Sequence, residues 1–386
     1  MIPRLNFDLS PILRECKKHD YQLTKVLPVV PKRLPGIGEL HLLVNLFTNK
    51  RTCSFNPSFF RKQFQADFRR RHPDAYTLFE AFIRNDPLPR EKLRKFFSEE
   101  ELHKFIKQGI ATRGDDNRIR FEIRLFSFMD RWFVTDRFDR STQGLTYCGI
   151  DSLVLAEENL KTFYGKRHFQ SCLDIGTGTG LQGICASEYC ERITGIDINP
   201  RAVTYSKINA SINGLDEKRF QESDLFTGVK GRYELIISNP PFMFYPREEL
   251  GREEHLDGDG GKYGLEIVGT ILDRIDRFLE KDGVARILAQ SPMVGDQDLL
   301  PKLIREKFSR LDYQVTLKPL CYFMNPTHFF FYRQQGIRYC TLYLITLHKG
   351  KTPFTLSVDP MPSLRKAADF LKTGLVYAAR QLIFFH

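Results

Sequence analysis

The sequence predicts an α/β protein whose larger part is a mostly parallel sheet, preceded by a mainly helical domain that carries a β-hairpin. Three observations predict it. From about Thr146 onward strand-like and helix-like patterns alternate, as parallel sheets require. A glycine-rich turn, Gly176-Thr177-Gly178-Thr179-Gly180, follows the apolar run Leu173-Asp174-Ile175 and opens a helical stretch from Leu181 to Cys190. The first 136 residues instead show helical periodicity and a hairpin pattern.

In chain order, Pro28, Pro31 and Pro35 with Gly36 and Gly38 mark an irregular opening, and Ile37 to Phe47 reads as a short apolar helix. Phe60, Phe64 and Phe68 recur every four residues as one apolar face, with Arg61, Lys62, Arg69, Arg70 and Arg71 beside it. Ser98-Glu99-Glu100-Glu101 fits a capping box, and the helix it opens is expected to stop at Gly109. The turn Arg113 to Asn117 leads to strands over Arg118 to Phe126 and Arg131 to Thr135. Helix, helix, hairpin resembles a winged helix; a lid that only packs on the following domain is the level alternative.

The expected domains are a basic substrate-binding unit over 1–136, a catalytic unit over 137–350, and a C-terminal helical extension over 351–386. Asn199-Pro200 starts a helix that Asn213-Gly214 ends. A helix near Leu265 to Leu279, a strand near Val284 to Ala289 and aromatic-rich strands at His328 to Tyr332 and Tyr339 to Leu347 follow. The tail from Ser363 to His386 reads as an amphipathic helix.

With 386 residues, 42% hydrophobic and 27% charged, the chain has the composition of a globular protein of two or three domains. No apolar run approaches a membrane span and the start lacks a signal-peptide core, so a cytoplasmic location without membrane contact is expected. The 8 cysteines form no Cys-x-x-Cys pair, and Cys185 and Cys190 read as buried thiols on one helix, so no metal is expected. Residues 1–136 hold 26 Lys or Arg against 17 Asp or Glu, a net of +9 that leaves +2 for the rest. Such a field attracts polyanions such as RNA.

The chemistry is concentrated in Asn239-Pro240-Pro241-Phe242, at the end of the apolar run Leu235-Ile236-Ile237-Ser238. The nitrogen of a carboxamide or nucleobase amine is a poor nucleophile because its lone pair is delocalised. If the Asn239 oxygen and the Pro240 carbonyl each accept an N–H, the lone pair turns out of the plane. Phe242 then stacks on the flat group, and two prolines hold the carbonyls still. Gly178-x-Gly180-x-x-Gly183 also satisfies a dinucleotide fingerprint. Asp174 inside the turn argues against it, because a pyrophosphate is repelled there whereas an ammonium is attracted. Asp197 ends the next apolar segment, where an acid can take both ribose hydroxyls, and Asp224 follows a third.

In this order the motifs resemble those of the class I S-adenosylmethionine-dependent methyltransferases, in the branch carrying Asn-Pro-Pro-(Phe/Tyr), over about residues 140 to 347. The resemblance implies a Rossmann-like seven-stranded sheet, mostly parallel, with an antiparallel last strand. It implies that Asp174, Gly176, Thr177, Gly178 and Gly180 hold the methionine end of S-adenosylmethionine. Asp197 with Ile198 would hold the ribose, and Asp224 with Leu225 the adenine. Tyr147 to Ser152 looks like the family's preceding motif, whose Asp151 and Ser152 would close over the methionine moiety; read from the residues alone, this is equally a helix N-terminus capped by Asp151 or Ser152. The extra N-terminal domain and the loop with Gly258-Asp259-Gly260-Gly261 are similar to small-domain, HemK-like enzymes. Gly260 to Leu265 resembles a segment of protein glutamine methyltransferases, whereas Phe242 resembles ribosomal guanine-N2 enzymes.

The reading that follows is an N-methyltransferase acting first on an exocyclic base amine of RNA, gripped by the N-terminal domain. A glutamine carboxamide of a protein is the second acceptor, supported by the acidic stretch Glu248, Glu249, Glu253, Glu254, Asp257 and Asp259 beside the slot. A non-catalytic RNA-binding protein on the same scaffold is the third.

Overall fold

The computed structural model describes residues 8–19, 21, 69–137, 146, 148–246, 258–323, 329–350 and 352–360. The expected helix at 37–47, the Phe60, Phe64 and Phe68 stripe, most of the acidic stretch after the slot, and the tail helix lie outside them. The chain divides into two units, with Arg131–Met361 forming the larger. Arg131 to Asp136, assigned above to the N-terminal domain, fall within this second unit.

In the first unit, helices α1 (Ser10–Lys18) and α2 (Pro73–Phe82) precede strand β1 (Leu88–Pro89), α3 (Arg90–Leu93) and α4 (Glu99–Lys107). Strands β2 (Ala111–Arg113) and β3 (Arg118–Phe121) then form a hairpin, with β1 pairing to the outer side of β3. The unit thus runs helix, strand, two helices, strand, turn, strand after α1. The capping box forms as expected: Ser98 Oγ accepts from Glu101 N at 3.2 Å and Glu101 accepts from Ser98 N at 2.8 Å. Phe82, Phe97, Phe105 and Phe121 make the core. The expected strand over Arg118 to Phe126 breaks at Glu122, and β4 (Ile123–Phe128) is separate. Asn85 stitches that break by donating to Phe121 O at 2.9 Å and Ile123 O at 2.7 Å.

The second unit opens with β5 (Arg131–Asp136) and α5 (Ile150–Phe163). Then β6 (Phe169–Ile175), α6 (Leu181–Ala186), β7 (Cys190–Asp197), α7 (Pro200–Ile212), β8 (Phe220–Glu222) and β9 (Tyr233–Ser238) follow. The helix after the glycine turn is shorter than expected, and Cys190 opens β7 instead of sharing that helix with Cys185. Both thiols are buried and pushed up to about 12 by desolvation. The unit continues through α8 (Glu266–Phe278), β10 (Leu279–Val294), β11 (Gln297–Asp298), α9 (Leu299–Phe308), β12 (Tyr313–Phe323), α10 (Phe329–Gln334), β13 (Ile337–Lys349) and β14 (Thr355–Val358). Two expectations need correction. Phe329 to Tyr332 is not strand but the start of α10, His328 lying outside the described residues, and residues 355–358 are not helical but add a parallel strand beside β12.

The sheet runs β14-β12-β13-β10-β9-β6-β7-β8, with β11 on β10. Setting aside β11 and β14 leaves the expected seven strands, with β13 antiparallel to both neighbours and the others parallel. Alternate residues of each strand face one core: Leu173, Ile175, Ile236, Ala285, Ile287, Val315 and Ile345 pack against Val268, Ile271 and Ile275 of α8 and Ile304 and Phe308 of α9. The opposite face carries Arg286, which reaches α5. Its Nε donates to Asn159 Oδ1 at 2.9 Å and its Nη1 to Thr346 Oγ1 at 2.8 Å. Burial brings this guanidinium down to about 10.

The chain leaves β6 in one direction and returns to β9 on its other side. Such a reversal opens a crevice beyond the carboxyl ends of the two strands. Ile175 and Ser238, the last residues of β6 and β9, are in register across it. The glycine turn and Asn239-Pro240-Pro241-Phe242 therefore leave the sheet side by side. Among the described residues no helix is long and apolar enough to cross a membrane.

Candidate active site

The glycine turn is held from below. Gly176 and Gly178 have φ of 66° and 53°, which side chains rarely adopt, and a Cβ at either meets nothing within 4 Å. The backbone is thus open where a ligand would lie. Thr177 N donates to Ile196 O at 2.8 Å, and Asn209, from the buried face of α7, donates to Thr179 O at 2.8 Å. Asn209 also bonds both sides of the Val134 peptide on β5, at 2.7 and 2.9 Å. Sequence reading missed Asn209; it is buried with Ser206 on the inner face of α7, and no local pattern singles it out.

Asp174 is fully buried. One oxygen, Oδ2, accepts from Thr177 Oγ1 at 2.6 Å and Gly183 N at 2.9 Å, while Oδ1 is buried without a hydrogen-bond partner. Burial raises this carboxyl to about 6, with Asp197 adding to the rise and the two hydrogen bonds opposing it. A buried half-satisfied carboxylate beside an open glycine backbone fits a cationic group such as the ammonium of S-adenosylmethionine.

Asp197, at the end of β7, accepts from Gly178 N at 2.8 Å and Asn199 N at 2.9 Å, and burial raises its carboxyl. These bonds aim it across the turn. Ile198 beside it is 66% exposed, so its apolar side chain is free to cover a flat ring. Asp224 is exposed after β8, and Leu225, at φ 47°, packs its side chain against the core.

Asn239 opens the Asn-Pro-Pro-Phe segment at the end of β9. Its Nδ2 donates to Asp151 Oδ2 at 2.5 Å and to Ser152 Oγ at 2.9 Å, and its Oδ1 is buried without a hydrogen-bond partner. Asp151 and Ser152, in the first turn of α5, are thus brought to the Asn-Pro-Pro-Phe motif. Desolvation raises the Asp151 carboxyl and the Asn239 bond opposes that rise. Gln182, on α6, donates to Ser152 O at 2.7 Å, linking the glycine-turn helix to the same corner.

Pro240 is buried, and Pro241 and Phe242 are half-buried. The segment from Gly258 braces them through backbone contacts. Met243 N donates to Gly258 O and Gly260 N to Met243 O, both at 2.8 Å. A Cβ on Gly260 would lie 2.7 Å from Phe242 Cα, and one on Gly264 2.1 Å from Phe242 O. Phe244 continues the wall, with ring centroids 4.9 Å from Phe331 and 5.4 Å from Tyr263. Among the described residues no group of three or more His, Cys, Asp or Glu is placed to hold a metal ion.

Residues 152–313 match the family described as the methyltransferase small domain. The chain is 41% identical over 138 residues to a candidate protein N5-glutamine methyltransferase of Methanocaldococcus jannaschii, covering 34% of this chain and 66% of that protein. It is 29% identical over 169 residues to the ribosomal protein uL3 glutamine methyltransferase of Xanthomonas campestris, covering 42% and 54%. It is 31% identical over 138 residues to the ribosomal RNA small subunit methyltransferase C of Salmonella arizonae, covering 35% and 34%. The chain thus spans between a third and two thirds of these relatives' own lengths. Family match, strand order and the paired motifs agree: residues 152–313, within the Arg131–Met361 unit, form a methyltransferase small domain of the class I S-adenosylmethionine-dependent, HemK-like kind.

Proposed function

We propose that this chain transfers a methyl group from S-adenosylmethionine to a planar N–H nitrogen, and that the nitrogen is the side-chain amide of a protein glutamine. The observation that carries the first part is the Asn239 amide, whose nitrogen is occupied twice and whose buried oxygen has no partner. An acceptor-only edge in a desolvated slot suits a group that offers N–H.

Asp174, the glycine turn, Asp197 and Ile198 would hold the cofactor, with Asp224 and Leu225 at its adenine end. Bound S-adenosylmethionine supplies an electrophilic methyl on a sulfonium. The residues of the slot do the rest. Asn239 Oδ1 and the Pro240 carbonyl each accept one N–H, which withdraws the nitrogen lone pair from conjugation and aims it. Phe242 fixes the plane of the acceptor. Once the nitrogen carries the methyl it is a strong acid, and its proton passes to water without a dedicated base.

Two observations favour a protein carboxamide. Among the relatives above, the one of highest identity is named for glutamine. In addition, α4, which would be the groove-reading helix if the first unit acts as a winged helix, opens with Glu99, Glu100 and Glu101. Glu99 pairs with Arg90 and Arg94, and Glu101 with Arg14, so much of the nearby basic charge is matched. An RNA base amine is the second reading, favoured by Phe242 and the +9 of residues 1–136.

Incubation with methyl-labelled S-adenosylmethionine and separated protein and RNA fractions of a cell extract distinguishes them. Label on glutamine nitrogen in protein is expected. Label confined to RNA replaces the first acceptor by the second, and no label in either fraction contradicts N-methyl transfer.

A further inference from the structure

We infer that Asp151, with Ser152, is a positioning residue for Asn239, fixing the amide so that its oxygen and not its nitrogen faces the acceptor. The inference rests on the methyl-transfer reading above, because it assigns a task within the same slot. A carboxylate only accepts hydrogen bonds, so the edge of Asn239 that meets Asp151 at 2.5 Å must be the NH2 edge. The second N–H is taken by Ser152 Oγ at 2.9 Å. Rotating the amide by half a turn would set two bare oxygens against each other at Asp151, whereas the Ser152 hydroxyl, both donor and acceptor, could turn and donate to the rotated oxygen. Without Asp151 nothing opposes that rotation, and an NH2 edge would then meet an N–H acceptor, donor against donor.

The holder is itself held. Both residues sit in the first turn of α5, and Arg286 clamps the far part of that helix, with Nη2 reaching Glu158 O at 3.4 Å and Thr162 Oγ1 at 3.3 Å besides Asn159. Gln182 donates to Ser152 O from the helix that follows the glycine turn. The first turn of α5 is therefore anchored to the sheet and to the cofactor side at once. The family resemblance assigns Asp151 and Ser152 to the cofactor, and the two roles are separable. A cofactor ligand loses affinity and turnover together, whereas a positioning residue loses turnover alone.

The test compares Asp151→Ala, Asp151→Asn, Ser152→Ala and Asn239→Ala in the full chain. It reads S-adenosylmethionine Kd by calorimetry and the initial rate of label transfer at saturating cofactor into the labelled cell fraction. Asp151→Ala is expected to slow transfer about 30-fold or more with Kd within about threefold, less than the ~100-fold or more lost when an oriented donor or acceptor is itself removed. Asp151→Asn, whose carbonyl still accepts from Asn239, should recover most of the rate, and Ser152→Ala should lose about fivefold. An unchanged rate in Asp151→Ala, a Kd that weakens in parallel with the rate, or an Asn variant no better than Ala overturns the inference. If Asp151→Ala does not fold, the Asn and Ser152 variants decide it. Full transfer by Asn239→Ala contradicts the proposed function instead, and so separates the two failures.

Discussion

Ser238 Oγ donates to Ile175 O at 2.8 Å, in a fully buried position where β6 and β9 end together. This bond ties the root of the glycine turn to the root of the Asn-Pro-Pro-Phe slot. It spans the point where the strand order reverses, so the two halves of the site cannot drift apart without breaking it. Ser238→Ala leaves the strands paired and removes only the tie. Stability is expected to fall by about 1 kcal/mol, the usual worth of one buried hydrogen bond. Denaturant unfolding measures it, and a change of a few tenths or less would show that strand pairing alone sets the spacing.

Asn239→Ala removes the amide and should lower the transfer rate by about 100-fold or more while S-adenosylmethionine Kd stays within about threefold. The glycine turn, Asp174 and Asp197 are untouched by that change. Parallel loss of affinity and rate would place Asn239 on the cofactor and not the acceptor.

Cofactor binding should depend on pH through Asp174. Its carboxyl is raised to about 6 in the free protein, and an ammonium beside Oδ1 favours the charged form. The sign follows: binding draws on the carboxylate, so affinity is full above pH 6 and weakens as pH falls through it, by up to about tenfold per unit. For the free protein the sign is opposite. A raised carboxyl contributes stability below its unfolded value of 3.8 and loses it as pH rises through 6, so the thermal shift given by cofactor should grow from pH 5 to pH 7. Asp174→Asn should bind weakly and without this pH dependence. A wild-type Kd that is flat between pH 5 and 7 would place the ammonium elsewhere.

Gly264→Ala tests the brace of the slot. Gly264 has φ of 72°, and a Cβ there would meet Phe242 O at 2.1 Å, so both backbone strain and a clash oppose the change. A loss of about 2 kcal/mol or more is expected, with transfer slowed further than cofactor affinity. Wild-type stability and rate would mean that residues 258–264 do not shape the acceptor wall.

Both motifs were legible because their signals are local, and the seven-stranded sheet was implied by the resemblance to the family. The apolar run Leu235 to Ile237 and the strand-like Leu173-Asp174-Ile175 each end in residues that favour a turn. The aromatic run after His328 was not. Phe330 is 80% exposed while Tyr332 is fully buried, and residues two apart share a face in a strand but lie on opposite sides of a helix. A run of four aromatics hides that difference. β12 was overlooked although Tyr313, Val315 and Leu317 alternate in burial, because Pro319 argues against a strand; the ladder shifts register between Pro319 and Cys321 and absorbs it. The contact of Asp151 with Asn239 links residues 88 positions apart, and no local pattern encodes it.

The most direct measurement is the position of the donor methyl relative to Asn239 in a crystal of the chain with S-adenosylmethionine. The methyl is predicted to face Asn239 Oδ1 across a gap that admits one nitrogen at ~3 Å from each, with Nδ2 still on Asp151. A methyl directed away from Asn239, or an amide turned so that Nδ2 faces the gap, would contradict the account.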